Sequence, residues 1–239
     1  MKPLALIAKA RRSLHSRGIL GTLNALAIYA AEPFGLLRPR RIRKRLADLM
    51  YDLRYGTETS AIVDTQHLGS QASSAHFANR YQATPEATFI SILRNMRLDY
   101  SRYTFVDFGS GKGKCMLMAS SFPFKRIVGV EFSAHLVSIA RRNALKYRSR
   151  NQLCRQFEFF EGDAAEYPVS NEPTVYYFYN PFGSAVLEKV LQNAIKPIAS
   201  ESHKSYFVYF NPVHRGVFDA TPRLRLVQCG PEHCIYRAE

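Results

Sequence analysis

The chain has 239 residues, 46% hydrophobic and 22% charged. This is ordinary soluble-protein usage that excludes a disordered chain and a membrane bundle and suits one α/β domain with an extension. The formal net charge is +14, but residues 1–45 hold eleven Lys or Arg against the single acid Glu32, so the other 194 residues carry only +4. A basic leader on a nearly balanced domain points to an anionic surface as partner (membrane, nucleic acid or acidic protein) and leaves the substrate of the domain open.

Residues 1–54 read as a basic helical N-terminal extension, with Leu4, Ile7, Leu14, Leu20, Leu23 and Leu26 at mixed three- and four-residue spacings. The apolar stretch Ile19 to Ala31 is interrupted by Thr22 and Asn24, and it falls short of the roughly 18 residues that cross a bilayer. Charges spread through the first 17 residues argue against a secretory signal, although an Arg-rich, acid-poor start is also the composition of an organellar transit peptide. Such a helix either lies on a membrane surface through its basic residues or packs on the domain and keeps them in water. Pro33 and Pro39 mark a break before a second basic helix over Arg41 to Leu53.

Residues 55–239 read as one domain. Tyr55 to Arg80 is rich in Gly, Ser, Thr and Gln and reads as loop. A helix is then expected from Pro85, with Thr84 as its N-cap. Beyond it, strands alternate with helices: strand Tyr103–Phe108, helix Lys114–Ser121, strand Arg126–Phe132, helix Ala134–Tyr147, strand Phe157–Phe160, strand Thr174–Tyr179, helix Ala185–Ile198 and strand Tyr206–Phe210. Arg223–Gln228 and Cys234–Arg237, joined by Gly-Pro, form a closing antiparallel hairpin. The alternation predicts a doubly wound, mostly parallel sheet whose ligands sit at the carboxyl ends of the strands. The aromatics Tyr176 to Tyr179, Phe207, Tyr209 and Phe210 read as strand core. The four cysteines contain no C-x-x-C pair and no disulfide framework, which suits a reducing cytosol. Cys229, His233 and Cys234 lack the further ligands that a closed zinc site needs, so no metal is expected.

Chemistry concentrates at the strand ends. Val106-Asp107-Phe108-Gly109-Ser110-Gly111-Lys112-Gly113-Lys114 lies where a strand turns into a helix, and glycines there let backbone approach a ligand closely. The G-x-G-x-G spacing departs from the dinucleotide pattern, and Gly113 after Lys112 departs from the phosphate-binding loop. Glu131, followed by Phe132, closes the next strand, where a carboxylate can accept from both hydroxyls of a ribose. Asp163, followed by Ala164, closes the third strand, where a carboxylate can accept from an adenine amine. Asn180-Pro181-Phe182 closes the fourth strand; it either presents a side-chain oxygen to an acceptor or merely terminates the strand.

On these residues the stretch from Tyr103 to Asn211 resembles the class I, seven-strand Rossmann-like S-adenosylmethionine-dependent methyltransferases. Tyr55-Gly56-Thr57-Glu58-Thr59-Ser60, Gly109-Ser110-Gly111-Lys112-Gly113, Gly129-Val130-Glu131-Phe132-Ser133 and Asn180-Pro181-Phe182-Gly183 resemble bacterial methyltransferase-domain proteins of unassigned substrate. More distantly, Tyr81 and Pro85 ahead of Phe105-Val106-Asp107 resemble the seven-strand histone lysine methyltransferases. The resemblance implies that Asp107 anchors the methionine end of S-adenosylmethionine, with Gly109, Ser110, Gly111 and Gly113 against it. It places Glu131 at the ribose and Asp163 with Ala164 at the adenine, with Phe132 a further cofactor-binding residue. Tyr81 and Thr84 are contact candidates in a lid formed by Tyr55 to Ser60 and Tyr81 to Pro85. Asn180, Pro181 and Phe182 would receive a nitrogen acceptor on a protein or small molecule, although amine-directed members carry two prolines here and this chain has one. Nucleic-acid methylation and a non-catalytic module docking through the leader are the competing expectations. The location expected is cytoplasmic or peripheral to the membrane.

Overall fold

The computed structural model describes residues 39–60, 84–198 and 204–239, with side chains from Leu46 onward. The expected leader helix up to residue 38, most of the loop before Pro85, and Tyr81 lie outside the described residues. The chain divides into two compact units, Met1–Met50 and Tyr51–Glu239. Helix α1, Pro39–Tyr55, runs through that division and extends the predicted second basic helix at both ends.

In the second unit, α2 (Glu86–Met96) precedes β1 (Thr104–Phe108), α3 (Lys114–Ala119), β2 (Arg126–Glu131), α4 (Ala134–Lys146) and β3 (Phe157–Glu161). Then follow β4 (Thr174–Tyr179), α5 (Ser184–Ile195), β5 (Tyr206–Phe210), α6 (Arg215–Ala220), β6 (Leu224–Cys229) and β7 (His233–Ala238). Among the described residues the strands form one seven-stranded sheet in the order β3-β2-β1-β4-β5-β7-β6. The first five are parallel, and β7 runs antiparallel to both β5 and β6. This is the doubly wound sheet with a closing hairpin that the alternation predicts.

The continuous apolar reading of the central strands has a packing cause, since a parallel strand covered on both faces has no solvent side to make polar. Every residue of β1 is buried, and so are the first five of β4. On one face Phe108, Tyr176, Phe178 and Phe207 pack with Leu187, Val190 and Leu191 of α5. On the other, Phe105, Ile127, Tyr177 and Val208 pack with Phe89 and Leu93 of α2 and with Met116 and Leu117 of α3.

Three local expectations are corrected. The N-cap of α2 is Pro85, not Thr84; the Thr84 hydroxyl is turned inward to the Tyr177 hydroxyl at 3.0 Å. Helix α6, six residues with only Phe218 buried, is too short to show a helical period and was not predicted. The reading of all four cysteines as unbridged fails for one pair. β6 and β7 place Cys229 opposite Cys234, and the two are joined as a disulfide. The hairpin turn brings together residues whose separation of five resembles no spacing motif. Cys115 and Cys154 are buried free thiols.

Candidate active site

The glycine turn leaves β1 at Phe108 and is fastened to the neighbouring strand, because the N–H groups of Gly109 and Ser110 both donate to the Val130 carbonyl, at 2.9 and 3.1 Å. Gly109 has φ +73°, and a Cβ there would stand 2.6 Å from Cβ of Pro181. The missing side chain thus lets the Asn180-Pro181-Phe182 corner lie directly against the turn. Gly129 of β2 has a related reason to be glycine, since a Cβ would meet Met116 Sδ at 2.4 Å and Ser110 Oγ at 2.8 Å. Parallel register places Asp107 between Gly129 and Tyr177.

Glu131 faces the turn. Its Oε2 accepts the Gly111 N–H at 3.0 Å and its Oε1 accepts the Ser133 N–H at 3.0 Å, so the carboxylate is held at both oxygens at the end of β2. Burial pushes the Glu131 carboxyl up, against the lowering effect of the bonds from Ser133, Gly111 and Phe132. Asp107 is 3% exposed. Burial, and then the negative charge of Glu131, push its carboxyl well above the usual range. Beside it, Cys115 donates to the Thr84 hydroxyl at 3.4 Å; burial and the charge of Asp107 push that thiol up. Thr84 is therefore a buried hydroxyl between Tyr177 and Cys115 instead of a helix cap. Phe132 is half-buried. Asp163 caps the short 3-10 turn Ala164–Glu166, accepting the Ala165 N–H at 2.9 Å, and the Gly162 N–H donates to the Glu131 carbonyl at 3.0 Å. These contacts keep the ends of β2 and β3 adjacent. Ala164 is buried among Val130, Phe182 and Phe108.

Asn180 sits in the left-handed region at φ +43° and is half-buried. Its Oδ1 accepts the Tyr209 hydroxyl at 3.0 Å, and the same hydroxyl accepts the His214 N–H at 3.2 Å. Burial raises the pKa of Tyr209, which keeps it a donor at neutral pH. Reading Tyr209 as strand core describes its ring, which is fully buried, but misses its hydroxyl, which orients Asn180 from the adjacent strand.

Sequence reasoning also missed the fastening of the glycine turn from outside. Asp52 of α1 accepts from the Thr57 and Thr59 hydroxyls, each at 2.8 Å, and from the Thr59 and Ser60 N–H groups at 2.7 to 2.9 Å. Burial opposes ionisation of Asp52, yet the bonds from Ser60, Thr57 and Thr59 outweigh it and hold the carboxyl below its usual range. The segment so wrapped delivers Glu58 to Lys112, with Nζ to Oε1 at 3.0 Å. Asn143 of α4 joins the two pieces: its Nδ2 donates to the carbonyls of Glu58 and Lys112, and its Oδ1 accepts the Glu58 N–H. An asparagine inside an α-helix is a poor helix former, and that misfit was the available signal. Lys114, also buried, lies over the Tyr51 ring at 4.8 Å. Tyr55 to Ser60 is thus tied to the turn by side chains of α1 and α4. Among the described residues, no three His, Cys, Asp or Glu are grouped as metal ligands.

The sequence profile of the family Histone methylation protein DOT1 matches residues 60–160, the stretch that holds the glycine turn and Glu131. No curated protein sequence matches the chain. Among solved structures, an RNA methyltransferase from Salinibacter ruber in complex with S-adenosyl-L-homocysteine is 24% identical, over 66% of this chain and 92% of its own, with TM-score 0.43. The mitomycin 7-O-methyltransferase MmcR is 16% identical over 64% of this chain, with TM-score 0.47. The similarity spans only 53% of MmcR. Precorrin-6y C5,15-methyltransferase from Geobacter metallireducens GS-15 is 18% identical over 69% of this chain and 94% of its own, with TM-score 0.47.

The residues present fit the group that the family match implies. Two buried carboxyls, Asp107 and Glu131, are both raised by burial, and a ligand that brings an ammonium and ribose hydroxyls to them supplies the positive charge and donors that burial withholds. The chain has the seven-stranded fold of the class I methyltransferases, with residues 60–160 similar to the DOT1 histone-methylation family, and S-adenosylmethionine is the cofactor that this match implies.

Proposed function

We propose that the protein transfers a methyl group from S-adenosylmethionine to a nitrogen acceptor on a protein or small molecule. The observation that supports this reading is the juxtaposition of a fixed amide oxygen, Asn180 Oδ1 held by Tyr209, with the glycine turn that Pro181 touches at Gly109. Asp107 would hold the ammonium of the cofactor and Glu131 its ribose hydroxyls, with Asp163 and Ala164 at the adenine. When bound, the cofactor supplies an electrophilic methyl on a sulfonium, reached by in-line displacement. The chain then contributes position and orientation. Asn180 Oδ1, an oxygen that only accepts and is oriented by the Tyr209 hydroxyl, would accept an N–H from the acceptor. That aims the nitrogen lone pair away from Asn180 and toward the turn. An amide is no base, so it suits a neutral amine, which needs orientation more than deprotonation before attack.

The test is to incubate purified protein and methyl-labelled cofactor with a lysate of cells lacking it, and to sort the label among protein, small molecules, nucleic acid and lipid. Label on amine nitrogens of protein or small molecules, with loss of turnover in Asn180→Ala, is expected. Label in nucleic acid, or an Asn180→Ala variant within a few-fold of the parent, refutes the nitrogen reading.

A further inference from the structure

Helix α1 has an apolar face that the methyltransferase reading does not use. Leu46, Leu49, Met50 and Leu53 are 55%, 51%, 64% and 78% exposed. At about 100° per residue these four fall within one arc of the helix. The buried residues Asp48, Tyr51 and Asp52, with half-buried Tyr55, fall on the opposite arc. Both acids of the helix are therefore on its buried side. All its other charged residues are cations: Arg40, Arg41, Arg43, Lys44, Arg45 and Arg54. By helical register Arg54 borders the apolar arc, and the other five cations precede Leu46 in the same helix.

An apolar arc accompanied by cations is the arrangement that lies in a lipid interface, with the aliphatic side chains below the headgroups and the long basic side chains reaching back to anionic phosphates. Four aliphatic side chains offer no π-face on which nucleic-acid bases could stack. Their exposure would be costly in a helix whose role was only to attract phosphate. No helix among the described residues is long and apolar enough to cross a membrane. We propose that α1 is an in-plane anchor for anionic lipid bilayers, with Leu46, Leu49, Met50 and Leu53 as its inserted side.

The test uses the full chain and vesicles of phosphatidylcholine with phosphatidylglycerol, against vesicles of phosphatidylcholine alone. Cosedimentation with the anionic vesicles is expected, weakening with added salt because the attraction is screened. The variant Leu46→Gln/Leu49→Gln/Leu53→Gln should bind about tenfold or more weakly with an unchanged melting temperature, since it alters exposed positions. Should that variant unfold, Leu53→Cys carrying an environment-sensitive fluorophore gives a second readout: its emission shifts to the blue on anionic vesicles. Absence of vesicle binding by the parent, undiminished binding by the folded triple variant, an unshifted fluorophore, or binding to RNA without binding to vesicles each overturns the proposal.

Discussion

Asp107→Asn should make the ligand-free protein more stable at neutral pH while abolishing cofactor binding, a combination that separates a functional acid from a structural one. Asp107 is 3% exposed, and its pKa is raised by burial first and then by the nearby charge of Glu131. In the unfolded chain its carboxyl ionises near the ordinary value of about 3.9. Because the folded pKa is the higher one, the contribution of this group to stability is fully present below the unfolded pKa. It is lost as pH rises through the folded pKa. Each unit of the rise costs about 1.4 kcal/mol at pH values above both. In a domain of this size, 1 kcal/mol moves the melting temperature by about 2 to 4 °C, so each unit removed with the charge returns roughly 3 to 6 °C. Differential scanning fluorimetry from pH 4 to pH 8, with and without S-adenosylhomocysteine, reads both halves. The parent should lose this part of its stability toward pH 8 and regain it with ligand. Asp107→Asn should start higher at pH 8, show a flatter pH trend, and gain nothing from ligand. A lower melting temperature for ligand-free Asp107→Asn at pH 8, or a ligand shift equal to the parent's, would refute the reasoning.

Glu131→Ala removes a carboxylate poised between the Gly111 and Ser133 N–H groups. At roughly 1.5 kcal/mol or more for each hydrogen bond to a charged group, two ribose bonds lost should weaken S-adenosylhomocysteine about a hundredfold in calorimetry; a change below threefold would remove Glu131 from the site. Glu58→Ala strips the counter-charge from Lys112, whose side chain is 1% exposed, and should lower unfolding stability in urea by about 1 to 3 kcal/mol. Lys112→Met, which leaves no buried charge, should change it by less than about 1 kcal/mol, and the reverse ranking would contradict the pairing. Tyr209→Phe should lower methyl incorporation about fivefold, equivalent to about 1 kcal/mol for one hydrogen bond, with cofactor affinity unchanged. An equal loss of affinity would show that Tyr209 supports the cofactor side and not Asn180.

Much of the fold was legible because parallel strands buried on both faces must be apolar throughout, so runs such as Thr174–Tyr179 and Tyr206–Phe210 stand out against polar loops. The glycine turn and the acid at the next strand end were legible for a related reason. A backbone that must approach Pro181 within the radius of a missing Cβ tolerates only glycine, and a carboxylate at the end of β2 meets the turn whenever β1 and β2 are parallel neighbours. Both leave a mark in residue type at a strand end. What the tertiary structure alone decided are pairings between side chains: Glu58 with Lys112 and Asn143, Thr84 with Tyr177 and Tyr209 with Asn180, all far apart in the chain, and Cys229 with Cys234 across the closing hairpin. Each partner is an ordinary residue at an ordinary local position. It acquires its role from packing between elements, and packing leaves no periodicity or spacing in a single sequence.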